Sequence, residues 1–204
     1  KKRYENNPEN LSYGLNYADR LNQADRQGEA ITILREVIRQ DPSSKLAYRK
    51  LAENSIAIDN LEGAASAYEE LFNIDPRDIK VAINISDVYL DNNDFRQAIK
   101  WADKASSLDS KNADALGQKG KVYYYGWENF RQNPFTNDDR IVAKLAYNYF
   151  VKALDKGYRG FEKVNWMKEN EKDILYGRAQ WFMAIDKVKR SRVISTTTSE
   201  YEWV

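Results

Sequence analysis

NIDPRD, residues 73 to 78, reads alone as an ordinary turn, but RQDPSS stands at 39 to 44 and SLDSKN at 107 to 112, the same interval to either side. A spacing held in the range of about 20 to 50 residues marks an array of repeated units, each burying its apolar face against the next. Asn10, Ser44, Asp78 and Asn112 fall just before the apolar-periodic segments and are separated by that same interval. All four are N-cap types, whose short side-chain oxygens accept hydrogen bonds from the free N–H groups of a helix's first turn. Pro42 and Pro76 stand two residues earlier in their turns, where proline ends the preceding helix, and Ser110 holds that place in the third.

Inside the units the register continues. Ala30, Ala64 and Ala98 share one position, and Leu34, Tyr68 and Ala102 follow four residues on, which sets them on one helical face. The small residue lets two helices approach closely and its neighbour fills the groove beside it. Between the apolar segments lie QADRQG, IDNLEG and NNDFRQ, in which Asp25, Asp59 and Asn93 align. Asp and Asn tolerate left-handed backbone better than other residues with a Cβ, so these positions predict a tight turn. Each unit therefore reads as helix, turn, helix.

These features resemble the tetratricopeptide repeat (TPR) family, whose 34-residue pattern sets large apolar, small, aromatic and proline residues at fixed offsets. Residues 45–78 match best, with Tyr48, Leu51, Ala52, Leu61, Ala64, Tyr68 and Pro76. In 79–112, Tyr89, Phe95, Ala98 and Ala105 match, while Ala82 and Ser110 depart from the pattern; in 11–44, Ala18, Leu21, Ala30, Leu34 and Pro42 match, and Gly14 stands where a bulky residue is usual. The resemblance covers roughly 150 residues and implies an all-α, right-handed α-solenoid of antiparallel helix pairs with a helical C-terminal cap.

The organisation expected is a lead segment at 1–10, repeats at 11–44, 45–78 and 79–112, and an expanded fourth repeat at 113–160. Gly120 and Tyr123 continue the register, but the second-helix stripe arrives late, as Ala146, Phe150 and Ala153, which implies about 14 inserted residues. The insertion lies near 126–137. Gly126, Pro134 and Asn137 predict that one helix ends or bends there and another is capped. Its rings, Trp127, Phe130 and Phe135, read either as a cover for the open end of the array or as a secondary interface. Residues 161–190 read as capping helices: a short one at Val164 to Glu169, and a longer one from about Asp173 with Ile174, Leu175, Ala179, Phe182, Met183 and Ile185 on its apolar side. VISTTTSEYEWV closes 191–204 with Thr, Ser, Tyr201 and Trp203, a composition that suits an extended tail.

Composition narrows the chemistry. Apolar residues make up 42% and charged residues 31% of the 204, and no apolar run nears the roughly 18 residues of a membrane helix. Thirty-two basic and thirty-one acidic side chains leave a net charge of +1, without the average attraction that drives non-specific nucleic-acid binding. The absence of cysteine and histidine removes disulfides, thiol nucleophiles, the usual zinc sites and the usual proton shuttle. DNND, 91 to 94, fails as a calcium loop because Phe95 and Arg96 take the third ligand and glycine positions. Asp138 and Asp139 sit in the first turn of a predicted helix, where the helix dipole accounts for them. No catalytic constellation and no cofactor or metal site is expected. The opening KKRYENNPEN has neither methionine nor apolar leader and reads as a trimmed or mature segment, and no signal specifies a compartment.

In TPR arrays the first helices of successive repeats line a concave face. By register this places Asp19, Glu53, Asp87 and Lys121 in one ladder, with Arg49, Lys50, Lys80, Asn84 and Tyr124 beside it. These read either as a solvated helical face or as a groove that holds a protein or peptide segment. A chaperone-tail carboxylate clamp does not carry over, because Leu15 and Asp19 stand where that clamp has lysine and asparagine, and Asn84 where it has arginine. The resemblance thus implies a non-catalytic protein-interaction scaffold with a protein or peptide partner. The alternative is a structural subunit of a larger envelope or secretion assembly, using the insertion, convex face and tail.

Overall fold

The computed structural model describes residues 2–160, 163–183 and 194–204, and the chain divides into two compact units, residues 1–92 and 93–204. The expected apolar position Ile185, the side chain of Phe182 and residues 184–193 of the cap and tail lie outside the described residues. All regular structure among the described residues is helical.

The first unit holds α1 (Lys2–Asn6), α2 (Leu11–Asn22), α3 (Gln27–Gln40), α4 (Lys45–Ala57), α5 (Leu61–Ile74) and α6 (Ile79–Asp91). The second holds α7 (Phe95–Leu108), α8 (Ala113–Phe130), α9 (Asn137–Leu154), α10 (Val164–Glu169), α11 (Glu171–Ile174), α12 (Arg178–Met183) and a 3-10 turn, Ser199–Tyr201. The first helices begin at Leu11, Lys45, Ile79 and Ala113, evenly spaced at the interval of the repeated turn. Asn10, Asp78 and Asn112 cap them as expected, accepting from Tyr13, Val81 and Ala115 N–H. Ser44 holds the cap position without a side-chain bond. The turn before α4 is held instead by Asp41, which accepts from the N–H and hydroxyl of Ser43 at 3.0 and 2.7 Å.

Asp25, Asp59 and Asn93 have φ of 55°, 59° and 57°, the left-handed backbone that the aligned turns predict. At the first two the chain closes the preceding helix with a wide hydrogen-bonded ring, Arg26 N–H to Leu21 O and Asn60 N–H to Ser55 O, each 2.9 Å. The next helix then starts antiparallel. Ala18, Leu21, Ala30 and Leu34 form one buried cluster with Leu15, Tyr17, Ile33 and Leu51 packed on it, so α2, α3 and α4 share a core. At the usual bulky position, Gly14 leaves room for the Val37 side chain of α3.

The insertion is absorbed differently from expectation. Gly126 does not end a helix: α8 continues to Phe130 and spans 18 residues, against 12 to 13 in α2, α4 and α6. A short loop with a cis Asn133–Pro134 bond follows. The N-cap of α9 is Thr136, not Asn137, with a reciprocal capping box to Asp139. Beyond α10, the expected longer helix is broken. Leu175 is extended and buried, and Tyr176 N–H donates to Arg140 O of α9 at 3.0 Å, so the chain leaves helical geometry to pin itself to α9. It restarts at Arg178, where Met183, expected on an apolar side, is 81% exposed.

The turn geometry predicts its own mutational signature. Asp59→Val, which places a β-branched residue in left-handed backbone, is expected to lower unfolding free energy by about 1–2 kcal/mol, while Asp59→Gly is neutral or stabilising. Urea unfolding of the two variants checks this.

Candidate peptide-binding face

In the first unit, α2, α4 and α6 carry the residues placed on the first-helix face by register. Lys50 of α4 pairs with Asp19 of α2, and Arg49 of α4 lies 3.7 Å from Asp78, the cap of α6. Neighbouring first helices are thus tied together by ion pairs along this face. The pairing alters the expected acidic line, since Asp19 is neutralised by Lys50. Glu53 and Lys80 are exposed and make no ion pair among the described residues, while Arg49, Asn84 and Asp87 are half-buried.

At the middle of this face stands Tyr68, a residue of the second-helix stripe. Its ring is buried, and Glu53, Arg49, Asn84 and Asp87 lie within electrostatic reach of its hydroxyl. Burial first, then the Glu53 carboxylate, hold its phenol above the ordinary tyrosine value. By sequence register alone Tyr68 is a packing residue of the second-helix stripe. The available signal was a tyrosine where the other units have Leu34 and Ala102: a polar atom on a core stripe must find a partner. Here its polar neighbours, Asn84, Arg49, Glu53 and Asp87, belong to the candidate face. Asn54, one turn beyond Lys50 on α4, donates to Lys50 O at 2.8 Å, and its buried side-chain oxygen lacks a hydrogen-bond partner.

The second unit contains the remaining site candidates. Lys121 is half-buried on α8. Tyr124 is 1% exposed and donates to Glu128 at 2.9 Å, so its ring belongs to the core rather than to an open face. Trp127 is fully buried, with ring centroids 5.7 Å from Tyr124, 5.8 Å from Phe135 and 6.4 Å from Trp166, and the Arg131 guanidinium lies over it at 5.0 Å. Its burial removes Trp127 as a surface contact. Phe130 and Phe135 remain half-exposed, Phe130 edge-on to Phe95 and Tyr201.

Asp138 and Asp139 do more than answer the dipole of α9. One oxygen of Asp138 accepts from Thr197 N–H at 2.7 Å, Thr198 N–H at 2.9 Å and the Thr197 hydroxyl at 3.1 Å. Asp139 accepts from Thr136 N–H and hydroxyl, both 2.8 Å, and from the Tyr201 hydroxyl at 2.6 Å. The Trp203 indole stacks on Phe95 at 5.5 Å and on Tyr123 at 5.8 Å, directly over Gly126 of α8. The C-terminal segment is therefore seated on α7, α8 and α9 of its own unit. Gly126 serves this contact: a Cβ there would collide with the indole.

No family model and no curated protein sequence matches this chain. Solved structures do. A crystal structure of MamA aligns with a TM-score of 0.62 at 21% identity, covering 76% of this chain and 83% of that one. MamA 41-end from Desulfovibrio magneticus RS-1 aligns with a TM-score of 0.60 at 14% identity, covering 89% and 96%. The APC/C hetero-tetramer Cut9-Hcn1 aligns with a TM-score of 0.55 at 14% identity over 81% of this chain and 29% of that one. These are TPR-type repeat proteins, and the fold of this chain is the TPR-type α-solenoid of helix pairs. No helix among the described residues is long and apolar enough to cross a membrane.

Two outcomes follow from the buried rings. Trp127→Ala is expected to destabilise the chain by about 3–5 kcal/mol, because a large enclosed side chain leaves a cavity; denaturant unfolding measures it. Alkaline pH is the second probe. Burial pushes the Tyr123 phenol up to about 12, whereas an unfolded tyrosine ionises near pH ~10. Between these values the folded state binds more protons, so stability is fully present below about pH 10 and falls as pH rises towards 12. Tyr123→Phe is expected to make that fall shallower in unfolding curves taken from mildly alkaline pH upward.

Proposed function

We propose that this chain is a non-catalytic protein-interaction scaffold, and that the face formed by α2, α4 and α6 holds an extended protein or peptide segment. The observation that carries this reading is the polar cluster around Tyr68: an amide, a guanidinium and two carboxylates from two successive first helices converge on one buried hydroxyl. Such a cluster offers donors and acceptors to a peptide backbone, with Glu53 and Lys80 beside it for charged side chains. Lys121 holds the matching sequence position on α8 of the second unit, and Asp19, already paired with Lys50, positions that lysine. The TPR-type fold supports the reading, because successive first helices bring equivalent side chains into line.

The partner class is a segment carrying both a cationic and an anionic side chain, since the face presents Glu53 and Asp87 together with Arg49 and Lys80. The assembly-subunit alternative drew on the insertion and the tail. Trp127 and Tyr201 are buried within the second unit, while Phe130, Phe135 and Trp203 are half-exposed.

Affinity capture with the intact chain, beside Glu53→Lys/Asp87→Lys and Arg49→Glu/Lys80→Glu variants, tests the proposal. A partner retained by wild type and weakened about tenfold or more by each reversal, with both variants still cooperatively folded by circular dichroism, is expected. A partner bound equally by all three refutes the face as the site.

A further inference from the structure

The C-terminal segment is held in the manner of a bound peptide. Of residues 194–204 only Tyr201 is fully buried; Ile194, Ser195, Thr197, Ser199, Glu200, Glu202 and Val204 remain exposed. The hydrogen bonds described between this segment and the rest of the chain end on two carboxylates, Asp138 and Asp139. Asp138 accepts from two consecutive backbone N–H groups and a threonine hydroxyl just ahead of the 3-10 turn, so one buried carboxylate fixes the point at which the segment turns. Two aromatic anchors follow at fixed distances: the Tyr201 hydroxyl on Asp139 and the Trp203 indole in the slot above Gly126. An exposed segment fixed by a few deep anchors and charge-assisted backbone bonds is the anatomy of an interface, whereas a core element would be covered along its length.

We infer that the N-terminal end of α9, with the indole slot on α8, is a second peptide-recognition site, separate from the first-helix face, whose ligand is a Thr-x-x-x-Tyr-x-Trp segment that turns through a short 3-10 stretch, Ser199–Tyr201. Residues 197–203 are its resident ligand. A second copy of this chain carries the same segment, and the contacts are identical when it is delivered from another molecule. Tethering gives the resident segment a high effective concentration, so the site opens to a second chain when the resident anchors are weakened.

The probe is a fluorescently labelled synthetic peptide of residues 194–204, titrated by anisotropy against the intact chain carrying Tyr201→Phe and Trp203→Ala. Saturable binding is expected, weakened about tenfold or more when Asp138→Asn is added, and much weaker to wild type, whose own segment fills the site. Absence of binding to the folded double variant, or binding indifferent to Asp138→Asn, overturns the inference. Should the double variant not fold, hydrogen exchange on the wild-type chain decides. Thr197 and Thr198 amides exchanging ahead of α8 and α9 support an exchangeable ligand. Exchange only together with α9 overturns it and makes the segment a fixed part of the fold.

Discussion

Ala30, Ala64 and Ala98 have no exposed surface, and each stands near the start of a second helix. A methyl group at that place lets two helix backbones come close enough for the side chains around it to interlock. Close approach in turn limits the connection: a long loop is unnecessary, and the chain must reverse within a few residues. Asp25 and Asp59 accomplish the reversal by entering left-handed backbone, and the helix that follows is set antiparallel; Asn93 takes the same backbone conformation. With helix lengths of 12 to 14 residues in α2 to α7, the unit closes at a constant length and the next N-cap falls where the last one did. The first-helix face is a product of that constancy. Asp19 meets Lys50, and Arg49 approaches Asp78, because successive first helices enter at equivalent places.

This part of the molecule was readable because its determinants are local. An Asp at a left-handed position, an Asn at an N-cap and an alanine on a stripe each act on neighbours within a turn or two of chain. Ser44 shows the limit even there: the residue type and place were right, yet Asp41 supplies the side-chain bonds that shape the turn. Tyr68 was legible as packing, but its hydroxyl takes on meaning only once α6 brings Asn84 beside it. One side chain thus packs its ring in the core and turns its hydroxyl towards the charged groups of the candidate face.

The second unit was less legible because its determinants are distant in sequence. Gly126 looked like a helix terminus, and glycine does weaken a helix interior. It stays helical because the Trp203 indole, from the far end of the chain, occupies the space a side chain would need. The pair Asp138 and Asp139 looked like first-turn acids placed for the helix dipole. That account is correct as far as it goes, and it omits the donors arriving from Thr197, Thr198 and Tyr201. The broken cap helix has the same origin. Leu175 is drawn inward, and Tyr176 bonds to the backbone of α9, so an apolar period that reads as one helix is spent on two contacts.

Asp138 and Asp139 also show why the insertion and the C-terminal segment form one feature. Both carboxylates are almost fully buried at 6% and 1% exposure. Two adjacent buried negative charges are costly unless each is hydrogen-bonded and set in a favourable field. The free N–H groups at the start of α9 supply the field. Loop residues Gln132 and Thr136 satisfy Asp139 from one side, and Tyr201 does so from the other. For Asp138 the donors described all come from the C-terminal segment. The lengthening of α8 places Gly126, Phe130 and the loop where that segment can reach the carboxylates, and the carboxylates give its backbone a partner that water would otherwise provide. From sequence the aromatic insertion reads as either a cover or an interface; in the structure Trp127 closes the core, while Phe130 packs edge-on to Tyr201 of the C-terminal segment.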